Sequence, residues 1–391
     1  MPWTLLMTRV APMLFLLAVG LSGCGGDAGI PVEDSAMSEA ALPDPMPAGG
    51  VPTYELDPSW PPALPDGMVM GVPTSVAVDT RDHVWVLHRP RTTPDDQRAN
   101  AAPPVLEFDA AGAFVQAWGG PADGHDWPDT EHGIFVDHQN NVWITGINPR
   151  AGTTVSDRSD DMFLKFTQDG TFLFQVGGYD VSGGNVDTDN PKQPADVFVH
   201  AATNEAFVAD GYGNRRVLVV DADTGAFKRM WGAFGSEPLD PPPPAPADPG
   251  ASLETEGPGP DQFGIVHGIG VSTDGLVYVA DRGNRRIQVF SLTGDYVTQG
   301  FVNRTGPSAN GVARIAFSPD PQQQFIFAND FGNGRVWVID RQTLEEVGSF
   351  GSLGSEPGQF QNLHHIAVDS KGNVYGAEVG QNRRVQKFAP K

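Results

Sequence analysis

The chain has 391 residues and a formal charge of −23, with a pI near 4.5. Such a charge repels phosphate and excludes nucleic acid as a partner. Charged residues make up only 19%, while glycine and proline number 47 and 35, a balance that suits a turn-rich β protein and argues against a helical one.

Residues 1–23 read as a lipoprotein signal peptide. "MPWTLLMTR" carries one positive charge, "VAPMLFLLAVGL" is an apolar run too short for a permanent span, and "LSGC" puts small residues before Cys24. Cys24, the only cysteine, would carry the lipid, with an ordinary thiol as the alternative; no disulfide can form within the chain. Residues 24–50, rich in Gly, Pro, Ala and acid, read as a flexible tether. These features place the protein at a bacterial cell envelope, facing the periplasm or the exterior, with a lipid as its one membrane attachment.

From 51 to 391 one unit recurs six times. It begins at Thr74 ("TSVAVDTRDHVWVLHR"), His132 ("HGIFVDHQNNVWITG"), Ala195 ("ADVFVHAATNEAFVADGYGNRRVLVVD"), His267 ("HGIGVSTDGLVYVADRGNRRIQVF"), Ala313 ("ARIAFSPDPQQQFIFANDFGNGRVWVID") and His364 ("HHIAVDSKGNVYGAEVGQNRRVQKF"). Each copy has an alternating strand, a polar turn, a second strand, a Gly/Asn-rich turn and a third strand. A fourth strand ending near Trp-Gly or Phe-Gly follows in most. Four strands repeated at intervals of roughly 45 to 70 residues predict an all-β, six-bladed β-propeller in a single domain. The last unit lacks an outer strand, which "VPTYELD" before blade 1 can supply. The Pro-rich stretch before "DQF" reads as a loop between blades 3 and 4, because the repeat resumes in register after it.

Register singles out three histidines. His132, His267 and His364 each stand ten residues before the first valine of the second strand (Val142, Val277 and Val374), at the start of the innermost strand of blades 2, 4 and 6. Blades 1, 3 and 5 carry Thr74, Ala195 and Ala313 there. Three imidazoles then point at the channel axis with three-fold symmetry. That suits one metal with three nitrogen ligands and open positions, most simply Zn²⁺. Three unrelated strand-end histidines are the plainer alternative. On the same face, at the end of the second strand, stand Arg89 and Arg282, with Tyr212 one residue beyond that position in blade 3. The arginines of the "GNRR" type (Arg216, Arg286, Arg335, Arg384) recur between blades and read as structural.

Over about residues 50–390 these motifs resemble the NHL-repeat propeller of peptidyl-α-hydroxyglycine α-amidating lyases. "HGI" at His132, "HGI" at His267 and "HHI" at His364 match that family's zinc ligands. "DGYGNRR" matches its catalytic tyrosine at Tyr212, and "HRP" and "ADRGNRRIQ" match its two substrate-flanking arginines at Arg89 and Arg282. The resemblance implies a zinc-dependent lyase that splits a peptidyl- or N-acyl-α-hydroxyglycine into an amide and glyoxylate. Tyr212 would be the base, and Arg89 and Arg282 would hold the free carboxylate of a small-molecule or peptide substrate. It also implies a structural calcium on the carbonyls of Val76 and Ile134, but the Asp that would complete that site is His365 here. A substrate-contacting Met is replaced by Asn362, and Gly213 stands where the family has a cysteine. Two other readings stay open: a non-catalytic NHL propeller that binds a partner at the envelope, and a metal-dependent propeller hydrolase of lactones or esters. Carboxylate and amide oxygen ligands are usual in the latter, and the three histidines speak against it. The expected state is a monomer.

Overall fold

The computed structural model describes residues 50–150, 152–240, 256–308 and 310–391. The signal peptide, Cys24 and nearly all of the tether lie outside the described residues, as does 241–255 of the Pro-rich stretch between blades 3 and 4. Six four-stranded antiparallel sheets follow one another in chain order. Their inner strands are Val72–Val78, Glu131–Val136, Asp196–His200, Val266–Val271, Val312–Phe317 and Leu363–Val368. Tyr54–Asp57 pairs antiparallel with the last strand, Val385–Pro390, as the outer edge of blade 6, so the N-terminal strand closes the ring as the sequence predicts. Closure leaves no strand pairing between blade 6 and blade 1 to complete. No helix among the described residues is long and apolar enough to cross a membrane.

The alternation of each strand explains how the blades hold together. Side chains at every second position face one neighbour, and those between face the other. The buried apolar residues therefore form six clusters, each shared by two adjacent blades. Phe207 and Trp231 of blade 3 pack with Ile269 and Phe290 of blade 4, for example.

Turn chemistry repeats with the blades. In blades 1, 2 and 6 the first hairpin opens with Asp79, Asp137 or Asp369. One carboxylate oxygen accepts two turn amides, such as those of Gln139 and Asn141 for Asp137. The other accepts from an aromatic of the next strand: Trp85 Nε1, Trp143 Nε1 or the Tyr375 hydroxyl. The "GNRR" arginines do bind turns together in blades 3, 4 and 6. Arg216 Nε donates to Asp210 at 2.8 Å, and its remaining nitrogens to the carbonyls of Asn185, Asp187 and Asn190. Arg286 with Asp281, and Arg384 with Glu378, repeat the pattern. Arg335 departs from it and packs over the Trp337 ring.

Arg216 and Asp210 are both fully buried. Replacing Arg216 with Met leaves a buried carboxylate without its cation and is expected to cost about 3–5 kcal/mol. Arg98→Ala breaks an exposed pair with Asp95 and is expected to cost at most about 1 kcal/mol. Chemical denaturation of the two variants checks this; equal losses would show that the repeated buried pair does not hold the blade.

Candidate metal and anion site at the channel mouth

A β-bulge delivers each histidine. In blade 4, Val266 pairs with Asp281 and Gly268 with Ala280, so His267 has no partner across the ladder. The register slips in the same way at His364 in blade 6, and at His132 and Gly133 in blade 2. A bulge releases one residue from the pleat and re-aims its side chain, here toward the axis. Blades 1 and 5 slip at Thr74 and Ala313. Those positions contribute a carbonyl instead. His132 Nδ1–H donates to Ala195 O at 2.7 Å, His267 to Ala313 O at 2.8 Å and His364 to Thr74 O at 2.6 Å. Every histidine is thus held by the equivalent residue of the following blade. A carbonyl can only accept, so the hydrogen is on Nδ1 and Nε2 presents a lone pair. The glycine of the "HGI" motifs follows from the same contact: a Cβ at Gly133 or Gly268 would lie 2.5 or 2.6 Å from that carbonyl oxygen.

The three rings converge, with centroids 4.5, 4.8 and 5.0 Å apart. Their ligating nitrogens all lie within 4.8 Å of one another, and all three residues are buried. Burial first, then the Arg282 charge and neighbouring imidazoles, with Arg89 adding to the effect at His132 and His364, holds each histidine well below the usual imidazole range. The donors are therefore neutral. The Tyr212 hydroxyl stands 3.1 Å from His132 Nε2 and 3.0 Å from His267 Nε2. One hydroxyl proton serves only one of these acceptors, and among the described residues His364 Nε2 has no donor. Three neutral lone pairs aimed at one buried point are the donor set of an imidazole-loving divalent metal, and the residues fit zinc.

The two arginines join this cluster from opposite sides of the ring. Arg282 donates from a terminal nitrogen to the Tyr212 hydroxyl at 3.1 Å, and its guanidinium also lies over the Phe331 ring. Arg89 donates from Nε to the carbonyl of Glu131, the residue before His132, at 3.0 Å. Burial and the Arg91 charge push Arg89 down to about 10. A residue that sequence reasoning missed completes the group: the Arg150 guanidinium lies 4.7 Å from the centre of the Tyr212 ring. The available signal was the long loop "INPRAGTTVSDRSDD" in blade 2, where blades 3 to 6 have a short turn and blade 1 alone has another long connection.

One residue further along the inner strands lies a second layer. Asp196, Arg314 and His365 meet across the channel: the Arg314 guanidinium pairs with Asp196 and with the Ile269 carbonyl, and His365 Nε2 is 3.7 Å from Asp196 Oδ1. Val76 and Ile134, expected to offer carbonyls to calcium, line the same cavity of about 220 Å³ with Arg314 and Ile366. These residues do not fit a calcium ion, because a fixed guanidinium already neutralises the one carboxylate of the layer. Asn362 is exposed at the rim with φ of 54°, a left-handed conformation that asparagine tolerates better than methionine. The structure does not bring it into the cluster. One other group among the described residues has metal-like spacing, Asp79, His83 and Glu107, but Arg81 bridges both its carboxylates.

A family profile described as the NHL repeat matches residues 263–290. NHL repeat-containing protein 3 of Homo sapiens is 28% identical over 86% of this chain and 84% of its own length. Peptidyl-alpha-hydroxyglycine alpha-amidating lyase 1 of Drosophila melanogaster is 26% identical over 86% of this chain and 60% of its own. Peptidyl-glycine alpha-amidating monooxygenase B of Xenopus laevis is 27% identical over 66% of this chain, which spans only 26% of that protein. The streptogramin B lyase structure superposes with a TM-score of 0.50 at 14% identity, covering 87% of this chain and 98% of that one, a likeness of fold. The chain is a six-bladed β-propeller carrying the NHL repeat. Within that class it is homologous to proteins named as peptidyl-α-hydroxyglycine amidating lyases.

His88 fixes the strand end that carries Arg89. It is fully buried, accepts the Gly71 amide at Nδ1 and donates from Nε2 to Pro103 O. Burial pushes it down to about 4. The unfolded chain takes up this proton near pH 6.5, so the stabilisation is whole above 6.5 and is lost as pH falls toward 4. By pH 5 it amounts to about 2 kcal/mol. Gln can reproduce both hydrogen bonds without titrating. Between pH 7 and pH 5 the wild type is expected to lose about 2 kcal/mol more unfolding free energy than His88→Gln; equal losses would contradict the assignment.

Proposed function

We propose that the protein is a zinc-dependent lyase that cleaves the N–C bond of a peptidyl- or N-acyl-α-hydroxyglycine to give an amide and glyoxylate. One observation carries the reading: the Tyr212 hydroxyl sits within 3.1 Å of two imidazole nitrogens and of the Arg282 guanidinium. A group that moves a proton thus lies beside both a metal-binding donor set and an anion-binding cation. The homology to amidating lyases supports it, although the likeness to NHL repeat-containing protein 3 is as strong and names no activity.

In this reading His132, His267 and His364 hold the ion, which supplies Lewis acidity toward the substrate oxygens. Arg89 and Arg282 hold the substrate carboxylate by charge-assisted hydrogen bonds, using the donors left over from Glu131 O and Tyr212. That anchor points the α-hydroxyl at Tyr212. In one relay the Tyr212 hydroxyl passes its own proton to the departing amide nitrogen while its oxygen takes the α-hydroxyl proton, the freed electron pair forms the aldehyde C=O of glyoxylate, and the C–N pair leaves on nitrogen. Atoms balance, and no oxidant is needed. Attachment of this activity to the cell envelope through a lipid on Cys24 belongs to the same proposal and rests on "LSGC" alone.

The zinc-loaded protein is expected to release glyoxylate from an N-acyl-α-hydroxyglycine. Tyr212→Phe keeps the ring and its packing, and is expected to lower kcat by about 10²–10⁴-fold with the metal retained. Arg89→Ala or Arg282→Ala is expected to raise KM strongly and lower kcat as well. Turnover unchanged in Tyr212→Phe would remove the tyrosine from the mechanism. No turnover by the zinc-loaded wild type would favour the binding-protein reading.

A further inference from the structure

Arg150 is the last guanidinium at the site without a partner. Among the described residues it makes no side-chain hydrogen bond and no ion pair; its one contact of note is the face of the Tyr212 ring. Most other arginines of this acidic chain are matched to carboxylates, including Arg91 with Glu131 and Arg158 with Asp129 nearby. Arg89 and Arg282 also lack ion pairs, but their spare donors suffice for a single carboxylate held by both. A third unpaired cation beside them raises positive charge that one carboxylate does not balance. Burial and the Arg282 charge lower the Arg150 pKa, as expected of a guanidinium held near like charge.

The loop carrying Arg150 is built to hold it there. The Arg150 carbonyl accepts bonds from Thr153 N at 2.8 Å, Thr153 Oγ1 at 3.2 Å and Thr154 Oγ1 at 2.8 Å. Gln193 Nε2 of the next blade ties down the carbonyls of Ile147 and Pro149 at 3.0 and 2.7 Å. Buried Asn148 donates its amide to Asp160, and its side chain to Ser156 and Arg158 carbonyls. Asp160 also accepts the amides of Asp129 and Thr130, so the loop and the approach to His132 share one anchor. Ordering a loop costs conformational entropy at every residue. Here the ordered loop presents an unsatisfied cation on the ring of Tyr212.

We infer that Arg150 is a specificity-determining residue that binds a second anionic group, so that the site prefers N-acyl-α-hydroxyglycines whose acyl part ends in a carboxylate. The inference rests on the lyase reading for the position of the first carboxylate. The alternative is that Arg150 only packs on Tyr212.

Binding and turnover separate these ideas. Titration calorimetry on the zinc-loaded protein compares N-acetylglycine with N-succinylglycine and N-glutarylglycine, unreactive analogues that lack the hydroxyl. A charge-assisted hydrogen bond to the second carboxylate is expected to make the better dicarboxylate bind about 10–100-fold tighter. Arg150→Gln is expected to abolish that preference while leaving N-acetylglycine affinity within about twofold, and Arg150→Lys to keep part of it. Equal affinities in the wild type, a preference that survives in Arg150→Gln, or no binding of any analogue would overturn the inference. Glyoxylate release from N-acetyl-α-hydroxyglycine tests the lyase reading separately. Turnover without a dicarboxylate preference would sink only the inference; the preference without turnover would sink only the lyase reading.

Discussion

Each channel histidine gives its Nδ1 hydrogen to a backbone carbonyl of the next blade, and the chemistry of the site depends on that bond. It fixes the tautomer, turns Nε2 toward the axis and locks the ring against rotation. It also couples blades 2 to 3, 4 to 5 and 6 to 1. The last of these joins residues 290 positions apart, on either side of the point where the N-terminal strand closes the ring. Correct assembly of the site therefore requires a closed ring, and the bulges that aim the imidazoles are part of the inner strands that form it.

Beneath this layer the channel meets its electrostatic demand within the chain. Arg314 reaches from blade 5 to Asp196 of blade 3, with His365 of blade 6 alongside. Burying such a pair is costly; Arg314 gains the Ile269 carbonyl as well, while Asp196 Oδ1, Arg314 Nε and His365 Nε2 have no hydrogen-bond partner among the described residues. A cross-channel guanidinium thus stands where the resemblance led one to expect a metal ion. The upper layer differs in kind. Its three imidazoles are neutral, and the nearest charges are arginines, so the site is short of negative charge and suited to an anionic substrate.

Much of this was legible in the sequence. The six repeats, the closing strand and the alignment of three histidines follow from patterns of two and ten residues that propeller geometry preserves. Tyr212, Arg89 and Arg282 were found because turn motifs keep a constant offset from the strands. The bulges were not legible, since a slipped register leaves no residue signature beyond the glycine after His132 and His267. Asp196 and Arg314 occupy the position next to the histidine in blades 3 and 5. The same alignment contained them, but their pairing depends on reach across the channel. Arg150 escaped because the aligned position in blade 2 is Ile147, an apolar residue, and the arginine comes later, in an insertion that the short turns of blades 3 to 6 cannot be aligned with.

X-ray absorption at the zinc edge on the metal-loaded protein tests the central claim most directly. The account predicts a first shell containing three imidazole nitrogens at about 2.0–2.1 Å, with remaining positions filled by oxygen ligands. The multiple-scattering signal of three histidines should disappear as His132, His267 and His364 are replaced. A shell dominated by carboxylate oxygen, or one unchanged by those replacements, would contradict the claim that the bulged inner strands build the metal centre.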